Sequence, residues 1–353
     1  MNVDRTLFRC ATLSPKEAMP LWKEVTRHIS FEALTDPQRR LLPAVWKNLS
    51  AEYDTFPGCH QLRGVYRLTW ARNLQQQKCC ERVIEQLGEA GIPTIAMKGI
   101  ALNIAVYQDL GMRPAHDFDL LVPFPQARQA LELLNNSGWQ FAEPQEYSPP
   151  ELRLCQAIAL GKDGFEFDLH WFALREARNP EHDTDLWERA VPLQVGAAQT
   201  KMLCPDHQLM HLLVNGTREP ENSYRFLLDL KQFTREYGSE IDLPRVHRAM
   251  KERHLLHRIS YLPLEEIECQ HLRPETPTTP LDRVWSWCSR YVHDGTGEME
   301  FGLFPFLDYL LHYAGRSDNP LTVLGYFQHQ LKIESWSDFF SRFIGKFRRT
   351  LAG

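Results

Sequence analysis

No Cys-x-x-Cys pair occurs among the eight cysteines of this 353-residue chain, and Cys10, Cys59, Cys79, Cys80, Cys155, Cys204, Cys269 and Cys288 are scattered along it. Neither a zinc site nor a disulfide framework is suggested by that spacing. An excess of basic charge is also missing. Forty Lys and Arg stand against 45 Asp and Glu, giving a formal net charge of −5 and a pI near 6.3. That balance speaks against a general binder of DNA or RNA. No uncharged apolar run of membrane-spanning length is present, and the segment Met1-Asn2-Val3-Asp4-Arg5 lacks the apolar core of a secretion signal. A reduced, cytoplasmic protein with no membrane association is expected. Its 43% hydrophobic and 24% charged residues are ordinary for a globular chain long enough to hold two domains.

What is present centres on Asp117-Phe118-Asp119, within the run Gly111-Met112-Arg113-Pro114-Ala115-His116-Asp117-Phe118-Asp119-Leu120-Leu121-Val122. The run reads as a strand, and residues two apart on a strand share a face. Two carboxylates on one face repel unless a cation lies between them, and Mg2+ is the usual hard ion for oxygen ligands. A second alternating strand, Phe165-Glu166-Phe167-Asp168-Leu169-His170-Trp171, carries Glu166, Asp168 and His170 on its polar face. Upstream, the apolar strand Ile92-Pro93-Thr94-Ile95-Ala96-Met97 runs into Lys98-Gly99 and then a helix from Ile100 to about Tyr107. A strand, a glycine turn and a helix start offer free N–H groups to a phosphate, so an anion site is expected beside the metal site.

Apolar spacing from Pro15 to about Leu87 is helical, and Gly88, Gly91 and Pro93 close that region. The division expected is residues 1–87 as an N-terminal helical region, 88–200 as an α/β core and 201–353 as a C-terminal helical region. Within the core, a helix from Pro125 to Asn136 leads to a strand at Trp139-Gln140-Phe141. Gly161-Lys162-Asp163-Gly164, between two apolar runs, signals a hairpin that would set Asp168 beside the central strand. Beyond Pro192 the pattern reads as helical: Pro205 to Asn215, Tyr224 to Tyr237, Pro244 to His257, and a last group from Phe304 to Phe347. His271 to Asp282 reads as an exposed connection.

Lys98-Gly99-Ile100-Ala101-Leu102, Arg113 followed by Asp117-Phe118-Asp119-Leu120-Leu121-Val122, and Phe167-Asp168-Leu169-His170-Trp171 together resemble the uncharacterised nucleotidyltransferase-like proteins of bacteria, within the DNA polymerase beta-type nucleotidyltransferase superfamily. The likeness covers about Leu87 to Trp171, with a looser one in the helices around Pro205 to Phe233. It implies an α+β fold, a nucleotidyltransferase-like mixed sheet flanked by N- and C-terminal helical regions. It also implies Mg2+ (or Mn2+) held by Asp117, Asp119 and Asp168, the third acid helping to hold the ion that activates the attacking hydroxyl. An NTP would be the donor, a small molecule or peptide the acceptor. The chain departs from the wider superfamily in one respect: Lys98-Gly99 stands where Gly-Ser or Gly-Gly is usual, so the serine that touches the nucleotide phosphate is missing.

Each of these residues also has a structural reading. Asp117 and Asp119 could be solvated strand ends or turn caps, and Lys98 a strand-terminal charge in water rather than a phosphate contact. Gly99 fits a tight turn or a close approach of phosphate. Arg113 could pair with Asp117 or Asp119, or grip a phosphate with its planar fork. His170 is an accessory candidate beside its reading as a satisfied structural histidine, with His116 weaker still. His207, His211 and Asp229 are expected in core or capping roles. The tail basics Lys346, Arg348 and Arg349 and the pair Trp285 and Trp287 give no support to nucleic-acid binding. Two rivals stand beside nucleotidyl transfer: a transferase with another phosphate-containing donor such as a nucleotide sugar, and a non-catalytic nucleotide-binding or scaffold protein.

Overall fold

The computed structural model describes residues 2–141, 152, 155–174, 180–216, 223–253, 255–256, 259, 262–274, 335 and 337. The expected helices between Phe304 and Phe347, the connection past residue 274, the tail basics and the tryptophan pair therefore lie outside the described residues.

Helices α1 (Val3–Thr12), α2 (Pro15–His28), the short α3 (Asp36–Arg39), α4 (Leu42–Leu49) and the 31-residue α5 (Cys59–Glu89) come first. Local signals set their ends. Ser14 and Glu17 form a reciprocal capping box with Pro15 in the first turn of α2. At the far end of α5, Gly91 takes a left-handed φ of 73°. Its N–H bonds Gly88 O and the next N–H, of Ile92, reaches back to Leu87 O. That paired closure turns the chain sharply into the sheet.

The sheet has seven strands: β1 (Ile95–Met97), β2 (Phe118–Leu121), β3 (Gln140–Phe141), β4 (Ala157–Lys162), β5 (Phe165–His170), β6 (Val191–Val195) and β7 (Ala198–Met202). Their spatial order is β3-β4-β5-β2-β1-β7-β6. It is a mixed sheet, because β2 runs parallel to β5 and β1 parallel to β7 while the other pairs are antiparallel. Every residue of β1 and β2 is buried, as central strands of a two-sided sheet require. Helix α6 (Lys98–Leu102) continues as a π-helical turn, Asn103–Tyr107, and α7 (Ala127–Asn136) follows β2. After β5 come α8 (Thr184–Arg189), α9 (Pro205–Asn215), α10 (Ser223–Tyr237) and α11 (Leu243–Glu252).

Two hairpins frame this sheet. Asp163 and Gly164 both have positive φ, 52° and 78°, between the paired ends Lys162 and Phe165. This is the tight two-residue turn the Gly-Lys-Asp-Gly run signalled. The other hairpin, β6–β7, corrects the expectation that the chain turns helical beyond Pro192, and its last strand runs past residue 200 to Met202. Pro192 is tolerated there because β6 is the sheet edge. The expected helix to His257 stops at Glu252, with Arg253 as its cap.

Candidate active site

Register brings the acids together. In the parallel pair β2–β5, Phe118 lies opposite Phe167 and Asp119 opposite Asp168. The two phenylalanine rings stack at 4.8 Å, and Trp139 meets Phe167 edge-on at 4.7 Å. A slip of one residue would exchange the two faces, so the aromatic packing pins Asp119 and Asp168 side by side on the other face.

There, ligand atoms of Asp119, Asp168 and His170 all lie within 4.8 Å of one another. His170 Nε2 is 3.0 Å from Asp119 Oδ1 and 4.0 Å from Asp168 Oδ2. Lys98 Nζ sits 2.5 Å from the same Asp119 oxygen and 3.5 Å from His170 Nε2. Burial alone would raise the Asp119 carboxyl, but the Lys98 charge and then the His170 hydrogen bond reverse this and hold it well below the usual carboxylate range. Asp168 goes the other way, pushed up by burial and then by the charge of Asp119. Asp117 precedes the strand, lines the same cavity as Asp119 and keeps an exposed surface. Its carboxyl is also raised, first because the surrounding walls displace water and then through repulsion by Asp119. Asp119, Asp168 and His170 form a cluster that could hold a divalent ion, and Asp117 is not among its members.

The phosphate candidates are arranged differently from expectation. Lys98, not Gly99, carries the left-handed backbone, with φ 46°. Its side chain goes to Asp119 rather than to water. Arg113 pairs with neither Asp117 nor Asp119. Its Nε and Nη2 donate to the two oxygens of Asp229 at 2.8 and 3.0 Å, and Tyr107 OH donates to Asp229 Oδ1 at 2.7 Å. The third nitrogen, Nη1, is buried and has no hydrogen-bond partner among the described residues. A Cβ placed on Gly99 would lie 3.1 Å from that nitrogen. Glycine at 99 thus leaves room for the guanidinium to lie close over the first turn of α6.

Helix α5 holds the loop that delivers these groups. Asn73, 2% exposed, donates to the carbonyls of Leu110 and Arg113 and accepts from Ala115 N–H. Gln76 donates to His116 O at 2.6 Å. Lys98, Gly99, Arg113, Asp117 and Asp119 then line a cavity of about 580 Å³ whose far wall includes Arg40, His211 and Arg225. Burial, then Arg40 and Arg225, depress the His116 imidazole, which marks that wall as cationic. Asp168 and His170 are not among its walls and adjoin it through Asp119. Of the residues the sequence reading left as structural, Asp229 and His211 border the cavity and His207 lies elsewhere. The signal for Asp229 was an acid inside the apolar run Leu227-Leu228-Asp229-Leu230. Asn73 and Arg40 had none.

A family model described as uncharacterised nucleotidyltransferase matches residues 37–264, more than half of the chain, and the protein belongs to that family. Two solved structures are similar at low identity. The solution structure of the antibiotic-resistance factor ANT(2'')-Ia shares 13% identity over 56% of this chain and 98% of its own, with a TM-score of 0.35. The crystal structure of an antigenic nucleotidyltransferase-like protein from Paracoccidioides brasiliensis shares 12% over 50% and 91%, with a TM-score of 0.31. No curated protein matches the chain.

Proposed function

We propose that the protein moves a nucleoside monophosphate from an NTP to a hydroxyl of a small-molecule or peptide acceptor, with Asp117, Asp119 and Asp168 holding Mg2+ or Mn2+. The observation that carries this is the opposed pair Asp119 and Asp168, which crowds two carboxylates beside a cavity large enough for a nucleotide. When bound, the ion supplies Lewis-acid charge to the phosphoryl oxygens. The chain's own residues do the rest. Arg113 Nη1, buried and unpaired above Gly99, donates to a phosphate oxygen, and Lys98 lines the same wall as a second cation. This arrangement stands in for the serine that the Lys98-Gly99 sequence lacks. Asp168, raised and half-buried, accepts the proton of the acceptor hydroxyl on a carboxylate oxygen. His170 holds Asp119 in place through its Nε2 hydrogen bond. The cytoplasm suits both the NTP and the free cysteines.

The test is turnover with Mg2+ or Mn2+ and labelled NTP, read as pyrophosphate release, in the wild type and in Asp119→Asn. Loss of release in a folded variant is expected. Nucleotide-sugar turnover in place of NTP turnover would favour the other donor. One observation favours a non-catalytic nucleotide-binding role: Lys98 already supplies Asp119 with a cation. NTP binding without turnover under any divalent ion would establish that reading.

A further inference from the structure

Away from the acids, where β7 leads into α9, a second cluster of reactive groups draws on three helices. Cys204 is the N-cap residue of α9, where the first N–H groups of the helix lack backbone partners. Its Sγ lies 3.4 Å from His207 Nδ1. The other ring nitrogen, Nε2, lies 3.0 Å from Asp185 Oδ2 on α8. Arg253, after α11, donates from Nη2 to the second oxygen of Asp185 at 2.9 Å. The order thiol, imidazole, carboxylate is that of an activated nucleophile whose base is oriented by a third group.

The cations beside the thiol, His207 and Arg189, favour its ionised form, and the nearby carboxylates Asp185 and Asp206 are each paired. Asp185 and Arg189 face it from α8, His207 and Asp206 from α9, with Asp206 held by Arg189 and by the Asp242 N–H ahead of α11. Burial opposes ionisation of Cys204, but the His207 hydrogen bonds outweigh it and bring the thiol below its ordinary range. His207 moves upward for the matching reason, as hydrogen bonds to Asp185 and Cys204 overcome its burial. Other cysteines move the opposite way, with burial pushing Cys10 up to about 12 and raising Cys79, Cys80 and Cys269. Cys204 itself is 4% exposed, so only a small reactant can reach it. Asp185 and Arg189, with side chains 46% and 35% exposed, form the open side of the cluster.

We propose that Cys204 is a thiol-modification site, a thiolate held by His207 and Asp185 that reacts with small hydroperoxides. The sulfur attacks one peroxide oxygen, an S–O bond forms and the O–O bond breaks. Sulfur is oxidised by two electrons to the sulfenic acid, and the departing hydroxide, or alkoxide from an organic hydroperoxide, takes the proton of the His207 imidazolium to leave as water or alcohol. The site is independent of the nucleotidyltransferase reading, although α9 carries both Cys204 at its start and the cavity-lining His211.

The full chain is exposed briefly to hydrogen peroxide with dimedone as the sulfenic-acid trap, and each cysteine peptide is quantified by mass spectrometry. Cys204 is expected to label first, well ahead of the equally buried Cys79 and Cys269, 4% and 5% exposed, which serve as internal controls. His207→Gln should slow Cys204 labelling by about tenfold or more and move its onset to higher pH. Should that variant not fold, Asp185→Asn, which keeps the imidazole but frees it to rotate, is expected to slow labelling too. Labelling of Cys204 no faster than Cys79 and Cys269, or a rate unchanged in whichever variant folds, would overturn the proposal. A loss of melting temperature with unchanged labelling would leave the cluster a purely structural one.

Discussion

Asp119 and Asp168 face each other across one rung of a parallel strand pair, yet their carboxyls titrate in opposite directions, Asp119 downward and Asp168 upward. Lys98 and His170 both contact Asp119, whereas Asp168 has His170 at 4.0 Å and feels Lys98 through its charge alone, against the acidic neighbours Asp119 and Asp117. The pair thus joins one carboxylate that the protein satisfies by itself to one that it leaves in need of a cation.

The pH dependence of stability should separate the two. For Asp119, whose folded pKa is depressed, the contribution is complete above the ordinary carboxylate titration near about 4 and is lost as pH falls through the folded value. For Asp168, whose folded pKa is raised, stability is greatest below the ordinary titration and declines as pH rises through the folded value. Without metal at neutral pH, Asp119→Asn should lower stability by about 2 kcal/mol, since a buried carboxylate with charged hydrogen bonds is removed. Asp168→Asn should leave the melting temperature unchanged or raise it. Thermal unfolding from pH 3 to 8 checks both, and a destabilised Asp168→Asn would contradict the assignment.

How much of this was legible in the sequence depended on range. Period-two alternation and the Asp163-Gly164 turn exposed β4, β5 and β2, and with them the meeting of Asp119 and Asp168. The β6–β7 hairpin carried the same signal, with Leu193, Val195, Ala198 and Met202 buried at alternate positions around Gly196. Pro192 and the helical patterns downstream obscured it. Partner choice was not readable at all. Arg113 had acids four and six residues away, yet it folds onto Asp229, 116 residues along, because α10 packs that carboxylate against its guanidinium. Nor could spacing show that Lys98 turns back onto Asp119.

Arg113 and Asp229 form a buried ion pair with side chains 7% and 5% exposed. Asp229→Ala leaves the guanidinium charged and uncompensated and should cost about 3 to 5 kcal/mol. Replacing both, as Arg113→Met with Asp229→Leu, should recover a large part of that loss. Urea denaturation of the single and double variants gives the coupling directly, and additive losses would contradict it.

Gly99→Val should displace Arg113 Nη1, since even a Cβ would stand 3.1 Å from it and Asp229 prevents the fork from swinging away. Mg-ATP affinity is expected to fall while the fold persists. Calorimetric titration of the two proteins is the check, and equal affinities would move the phosphate contact elsewhere.

Asn73→Ala removes three hydrogen bonds from α5 to the backbone of residues 110 to 115. Buried carbonyls left unpaired cost about 1 to 3 kcal/mol, so the melting temperature should drop. The loop carrying Arg113 and Asp117 should also exchange its amide hydrogens faster, as hydrogen exchange would show; protection unchanged from wild type would contradict the clamp.

The most direct measurement for the site as a whole is the shift in melting temperature on adding Mg2+ or Mn2+, compared between the wild type and Asp168→Ala. An ion bound only by the folded protein stabilises it by mass action, so the wild type should melt higher with rising metal concentration. Asp168→Ala should lose most of that shift and lose turnover more than nucleotide affinity. A variant with the wild-type metal shift and wild-type turnover would remove Asp168 from the site and contradict the convergence of carboxylates on which the proposed chemistry rests.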